Sequence, residues 1–400
     1  MANSSSLDAL LGSGAAKRFL RDCWPDEHVL VHRKSSQLPA CFREGPLCSF
    51  DSLAAVYGGR VQIAGGRGTD HLQFSVSEAP AAYLRRIGLT VFFGDDVSAL
   101  APGGVEFLRG LERDLGAPRG IGAIRMFASP SGGGLEAHYD QGETFLVQLS
   151  GKKRIWLAKN TTWPTLQFTP GKPPAEGHYP EFTQRGFPLT PPKNGFTVTM
   201  KPGSVLFIPR GMWHRTEAGT ASFSASVCVD IPNAIDVLLP QLRAAMKELP
   251  ELRRPLFGAW GGSRNDSLRR VAATLRTLAS SLTSVEPELV LDSVGEKSAE
   301  ELPLRDGTRF QRIPSTRVEV RRNELRVTTY DDARVVRISL SKALRAPARW
   351  LSRRGPAFTF GELASLHPST PPEELGALIR SLVESEGVRW LPFPTLRERS

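Results

Sequence analysis

No uninterrupted apolar run in the 400 residues approaches the ~18–20 needed for a bilayer-spanning helix, which argues against an integral membrane protein. The opening Met-Ala-Asn-Ser-Ser-Ser lacks a basic segment followed by an apolar one, so no secretory signal is expected. Cysteine is scarce. The four residues Cys23, Cys41, Cys48 and Cys228 show no Cys-x-x-Cys spacing, which excludes a zinc ribbon and a disulfide scaffold. A reducing, cytoplasmic environment is the expectation. What is present is ordinary for a globular protein, and the length exceeds one core, so two or three domains are expected.

The net charge of +10 is unevenly placed. Residues 305–354 hold 14 Lys/Arg against 5 Asp/Glu, leaving the other 350 residues near neutral. A local basic zone of this kind suggests an acidic partner such as RNA or a ribosomal surface, with a solvated arginine-rich face as the plain alternative.

The pattern along the chain changes twice. Residues 1–135 mix short helical and strand-like pieces. From Glu143 the pattern is β: Thr144–Leu149, a Ser150-Gly151 turn, and Lys153–Leu157, read as the returning partner of a hairpin. A Pro/Gly-rich stretch, 160–195, reads as loop. Strands resume at Phe196–Met200, Val205–Ile208 and Ser222–Val229. In the last of these Ser222, Ser224, Ser226 and Cys228 share one face, and Phe223, Ala225, Val227 and Val229 the other. Beyond Pro232 the period turns helical. Leu238, Leu242, Ala245, Met246 and Leu249 form one stripe; after an Asn265/Asp266 cap, Leu268, Val271, Ala272, Leu275, Leu278, Ala279 and Leu282 form another. These stripes pack on the β domain or against another subunit. Residues 285–304 read as an acidic linker. A basic β-rich stretch (Arg317–Leu340), a helix (Pro371–Glu384) and a short strand (Val388–Leu391) complete a small α+β module.

The chemistry concentrates in Ala137-His138-Tyr139-Asp140, which runs directly into a strand. Residues i and i+2 of an extended segment point the same way, so the His138 imidazole and the Asp140 carboxylate can grip one ion. His214, just past the turn and strand Pro202–Pro209, supplies a third ligand. Two histidines and one carboxylate on one side of an octahedron form the facial triad of Fe(II) oxygenases, which leaves positions open for a bidentate co-substrate and dioxygen. Lys153 on the next strand is costly inside a barrel unless it meets an anion, such as the far carboxylate of a metal-chelating dicarboxylate. Thr144 could add a hydroxyl, and Ser224 of the serine ladder could lean into the site. Trp156 and Trp213 read as core or cleft wall, and Glu143 as a cleft or strand-edge residue.

His138-Tyr-Asp140-Gln-Gly-Glu-Thr-Phe-Leu-Val-Gln148 with Gly151-Lys-Lys153-Arg-Ile-Trp156 resembles the JmjC-type cupin oxygenases, most of all the ribosomal oxygenases, which hydroxylate ribosomal-protein side chains. Pro202-Gly203 through Trp213-His214 resembles their second histidine motif, and Phe19–Pro25 their entry segment. The resemblance implies a mainly β fold spanning nearly the whole chain. A double-stranded β-helix (cupin/jelly-roll) JmjC domain with an N-terminal extension occupies 1–232, a helical dimerisation region 233–290, and a winged-helix-like domain 291–400. It implies His138, Asp140 and His214 as Fe(II) ligands and Lys153 as the partner of the distal 2-oxoglutarate carboxylate. The reaction implied is oxidation of 2-oxoglutarate to succinate and carbon dioxide by dioxygen, coupled to hydroxylation of a protein side chain. Two departures border the cleft: Gly142-Glu143 replaces an aromatic–Asp pair, and Arg125-Met-Phe127 replaces an Asn-x-Tyr-like pair. The alternatives are the same chemistry on a small molecule or natural-product peptide, and a non-catalytic cupin that binds nucleic acid or a protein partner.

Overall fold

A computed structural model describes residues 5–64, 72–75, 89–160, 191–248, 264–282, 287–291, 304–313, 316–329, 335–353 and 357–391, with a few single positions between them. Most of the Pro/Gly-rich stretch 160–195, most of the acidic linker and Leu249 lie outside the described residues. The chain divides into two compact units, Met1–Ile231 and Pro232–Ser400.

The first unit is mainly antiparallel β. Its strands are β1 (Val29–His32), β2 (Arg60–Ala64), β3 (Leu72–Ser75), β4 (Thr90–Phe93), β5 (Gly122–Ser129), β6 (Gly134–His138), β7 (Glu143–Ser150), β8 (Lys153–Ala158), β9 (Phe196–Met200), β10 (Ser204–Ile208), β11 (Trp213–Ala218) and β12 (Ser222–Val229). One sheet runs β1-β10-β7-β12-β5-β4-β2-β3, and a smaller one runs β6-β11-β8-β9.

The alternation in Ser222–Val229 has a physical reading here: β12 is central, and both of its faces are buried. Phe223, Ala225, Val227 and Val229 join Phe145, Val147, Val205 and Phe207 in a core covered by N-terminal helical residues Leu7, Leu10 and Phe19. Helix Gly104–Leu115 adds Phe107, Leu108 and Leu111 from its apolar stripe. The opposite face looks toward the small sheet. There Leu146, Leu206 and Ile208 pack on Ile155, Leu157 and Met200. The space between the sheets is therefore oily at one side and carries the serine ladder at the other.

The hairpin expected between β7 and β8 is not formed. Residue 150 ends a strand of the large sheet and Lys153 begins one of the small sheet, with β8 pairing β11 and β9. Ser150-Gly151 is a corner that carries the chain across the sandwich. A period-two pattern gives each strand its faces but not its partner, so a short turn between two β runs reads the same in either case. Gly151 makes the corner possible: its φ is +71°, and a Cβ there would sit 2.0 Å from the carbonyl oxygen of Ala221.

In the second unit, helices Ala234–Glu248 and Arg264–Leu282 occupy the two helical stripes, the latter starting one residue ahead of the expected Asn265/Asp266 cap. Ile235, Leu238, Leu239, Leu268, Val271 and Leu275 are exposed on them. The C-terminal module has two three-stranded sheets. One pairs β13 (Arg309–Arg312) with β17 (Ala357–Thr359) and β18 (Val388–Leu391); the other runs β14 (Thr316–Arg321), β15 (Glu324–Thr329), β16 (Val335–Ser339). Helices Arg345–Arg353, Phe360–Leu366 and Pro372–Glu384 close a core around Phe310, Leu325, Val327, Leu363 and Ile379. No helix among the described residues is long and apolar enough to cross a membrane.

Gly151→Ala is expected to destabilise the first unit by more than the ~1–2 kcal/mol of the left-handed backbone alone, because the added methyl meets a carbonyl. A urea midpoint equal to wild type contradicts that reading of the corner.

Candidate metal centre

His138 and His214 are direct cross-strand partners at the end of the β6–β11 ladder. This register brings their imidazole centroids to 4.2 Å. Tyr139 turns the other way and packs edge-on against Trp213 in a small buried cluster. Asp140 then faces the histidines, with His214 Nε2 3.5 Å from Asp140 Oδ2. One ligand atom from each of the three residues lies within 4.8 Å of the other two. Adjacent donors around an ion bound at ~2.1 Å sit ~3 Å apart, so small side-chain movements accommodate one.

The proton positions suit the same task. His138 Nδ1 is 2.6 Å from the carbonyl oxygen of Glu136, and His214 Nδ1 is 3.0 Å from that of Met212. A carbonyl only accepts, so each Nδ1 carries a proton, and in the neutral ring Nε2 is then the atom that offers a lone pair to a cation. Burial above all, and then the charge of His138, push the His214 imidazole down to about 4, against the opposing pull of Asp140. His214 is therefore neutral at physiological pH, as a ligand must be.

One backbone hydrogen bond and one side-chain ion pair hold the triad in place. The Gly211 N–H donates to the Asp140 carbonyl at 2.8 Å, tying the loop before His214 to the loop after His138. Beside it Arg210 forks onto Glu143, Nε to Oε1 at 2.9 Å and Nη2 to Oε2 at 3.1 Å, and also donates to the carbonyl of Ile231. Glu143, expected as a cleft or strand-edge residue, is instead a buried half of an ion pair at the head of central strand β7. Sequence reasoning missed Arg210 altogether. The signal was a buried acid opening an apolar strand, which requires a cation from elsewhere in the chain.

Lys153 enters the sandwich from the small sheet, four residues along β8 from the level of His214, or roughly 13 Å. It is buried, donates to Ser224 Oγ at 2.8 Å across the interior, and lies 5.6 Å from the Phe127 ring. Phe127 in turn stacks on Phe92. Burial pushes the ammonium down to about 8. No carboxylate pairs with it among the described residues, leaving a desolvated cation suited to an incoming anion. Thr144 is buried on β7, its hydroxyl 3.8 Å from Cys228 Sγ on β12. Ser222 accepts from Gln148 Nε2, and Ser226 contacts Cys228, so of the ladder only Ser224 meets Lys153. Arg125 is paired with Ser226 in the β5–β12 register, on the same strand face as Phe127, and brings a second cation toward the interior. Trp156 and Trp213 pack with Tyr139 and Ala158 as wall, as the sequence suggested.

Three comparisons with known proteins give the following likenesses. Residues 121–237 match the JmjC domain family. An uncharacterised protein of Bacillus subtilis (strain 168), YxbC, is 25% identical over 309 residues, covering 72% of this chain and 91% of that protein. Human ribosomal oxygenase 1 is 28% identical over 213 residues, 49% of this chain but only 30% of the human protein. Among solved structures, that of YcfD, a ribosomal oxygenase from Escherichia coli, in complex with cobalt and 2-oxoglutarate is 16% identical with a TM-score of 0.45, covering 94% of this chain and 97% of that one.

Glu143→Gln is expected to lower Co(II) affinity by about 10–100-fold, because the fork that braces the two metal-side loops is lost. It is also expected to cost about 3 kcal/mol, the low end for a buried pair, since 22% of the Arg210 side chain is exposed. Wild-type Co(II) affinity in this variant would refute the bracing role.

Proposed function

We propose, from the premise that this chain is a ribosomal oxygenase-like JmjC protein, that it is an Fe(II)- and 2-oxoglutarate-dependent dioxygenase hydroxylating a protein side chain, with a ribosomal protein as the first substrate to test. The observation that carries the reading is the convergence of His138, Asp140 and His214 on one face, with both Nδ1 atoms committed to backbone carbonyls and a desolvated Lys153 deeper in the same interior.

The three residues would hold Fe(II), which supplies dioxygen activation coupled to conversion of 2-oxoglutarate to succinate and carbon dioxide. The chain's own groups do the rest. Lys153 pairs with the distal carboxylate of the co-substrate, and Ser224 fixes the ammonium by accepting one of its hydrogens. Thr144 offers a hydroxyl along the way. Phe127, Phe92 and Leu146 bound the interior with apolar surface and exclude water, which strengthens the ion pair. The Glu143–Arg210 fork and the Gly211–Asp140 bond keep the carboxylate and the second imidazole in register.

We assign the catalytic barrel to 1–232, a helical dimerisation region to 233–290 and a winged-helix-like domain to 291–400. The apolar side chains Leu238, Leu239, Leu268 and Leu275, exposed on two helices, support burial against a second copy. Sedimentation at micromolar concentration should give a dimer mass, and a monomer overturns this assignment.

Purified protein with Fe(II) should convert 2-oxoglutarate to succinate, and His138→Ala and Asp140→Ala should abolish the conversion. Lys153→Ala should raise the 2-oxoglutarate requirement strongly while Co(II) binding stays near wild type. The anion needs the protonated amine, so affinity should be flat below about pH 8 and fall as pH rises through it. Turnover surviving loss of His138, or co-substrate dependence indifferent to Lys153, contradicts the reading.

A further inference from the structure

The basic character of residues 305–354 is concentrated in one groove of the C-terminal module. Helix Arg345–Arg353 packs beside β14, an edge strand of its sheet. Between them lies an open cavity of about 460 Å³ lined by Arg312, Arg317, Glu319, Arg349, Ser352 and Arg353, with Val318 and Val320 at its floor. The two valines belong to the core of the module, so the groove offers little apolar surface to anchor a peptide side chain. It offers guanidinium groups instead.

The fold engages these arginines unequally. Arg312 is the scaffold member: its terminal nitrogens donate to the carbonyls of Ser352 at 3.1 Å and Thr316 at 3.4 Å, stapling the helix to the start of β14. Its Nε is buried with no hydrogen-bond partner among the described residues. Arg317 reaches Glu319 at 2.5 Å, but that carboxylate is shared with Arg321 at 3.6 Å. Arg349 and Arg353 stand four residues apart on the helix and are exposed. Like charges at this spacing repel, and no acid of the groove lies between them. A four-residue step along the helix sets these two side chains about 6 Å apart on the groove side. The four arginines lining the groove thus share it with one carboxylate, already engaged by Arg317 and Arg321.

We propose that this groove binds the phosphodiester backbone of RNA. A guanidinium fork matches a phosphate bidentately, and a row of forks fits a repeating polyanion better than a single compact anion. Recognition of this kind is independent of sequence and weakens steeply with salt. It uses none of the residues placed around the metal, so it stands or falls separately from the oxygenase reading.

The test uses the full-length chain and a short fluorescein-labelled RNA duplex, with anisotropy read over a range of KCl concentrations. Wild type should bind, with log affinity falling linearly against log salt. The pair R349E/R353E should lose at least about tenfold in affinity and flatten the salt slope by about one to two. R349Q/R353Q, which removes charge without reversing it, should fall between the two and guards against misfolding, with circular dichroism matching wild type. K17E/R18E makes the same charge change on an exposed helix of the first unit and should leave both affinity and slope unchanged. His138→Ala should bind RNA as wild type does, even if it abolishes turnover. The proposal is overturned if wild type binds no RNA, or if K17E/R18E weakens binding as much as R349E/R353E. Preference for a phosphothreonine peptide over RNA at equal phosphate concentration also overturns it.

Discussion

One cross-strand pair organises the first unit. His138 and His214 face each other at the end of the β6–β11 ladder, and the register of that ladder decides whether a third ligand two residues on can join them. A slip by one residue would turn His214 away from the site and bring Trp213 in. Several features guard against the slip. Tyr139 and Trp213 lock edge-on in a dry pocket, Gly211 donates to Asp140, and the Glu143–Arg210 fork spans the two loops. The geometry of an ion site is thereby set by packing and backbone hydrogen bonds before any ion arrives, which lowers the reorganisation that binding must overcome.

The same interior solves a second electrostatic problem. An ammonium stripped of water and without a carboxylate partner is unfavourable in the free protein, and the depressed proton affinity of Lys153 is the sign of that cost. Ser224 offsets part of it with one hydrogen bond, and the Phe127 ring with its negative face. An anion seated beside it would relieve the remainder, so the cost carried by Lys153 would return as affinity for that anion. Arg125 sets a second cation on the same strand face as Phe127, which makes this interior more strongly anion-seeking.

Much of this was legible in the sequence because it is local. The i, i+2 spacing of His138 and Asp140, the alternation of Ser222–Val229, and the heptad-like stripe from Leu268 to Leu282 each follow from a single element's period. What was not legible is what depends on pairing between distant segments. Ser150-Gly151 read as a hairpin because a two-residue turn looks alike whether the chain folds back or crosses to the other sheet. Glu143 read as a cleft or strand-edge residue because its partner lies 67 residues away. The contact between Lys153 and Ser224 joins two sheets, and no pattern within either strand announces it. The arginine groove is a similar case: charge counting located the basic zone but not the helix–strand cleft into which four of its members converge.

The central claim is that three side chains converge on one divalent ion and leave room on it for a keto acid. Anaerobic titration of the apoprotein with Fe(II) and then 2-oxoglutarate measures it directly, through the visible charge-transfer absorption of a keto acid chelated to ferrous iron. The account predicts one such chromophore per chain, absent in His214→Ala and formed only at higher 2-oxoglutarate in Lys153→Ala. No absorption in wild type, or an unchanged band in His214→Ala, would contradict it.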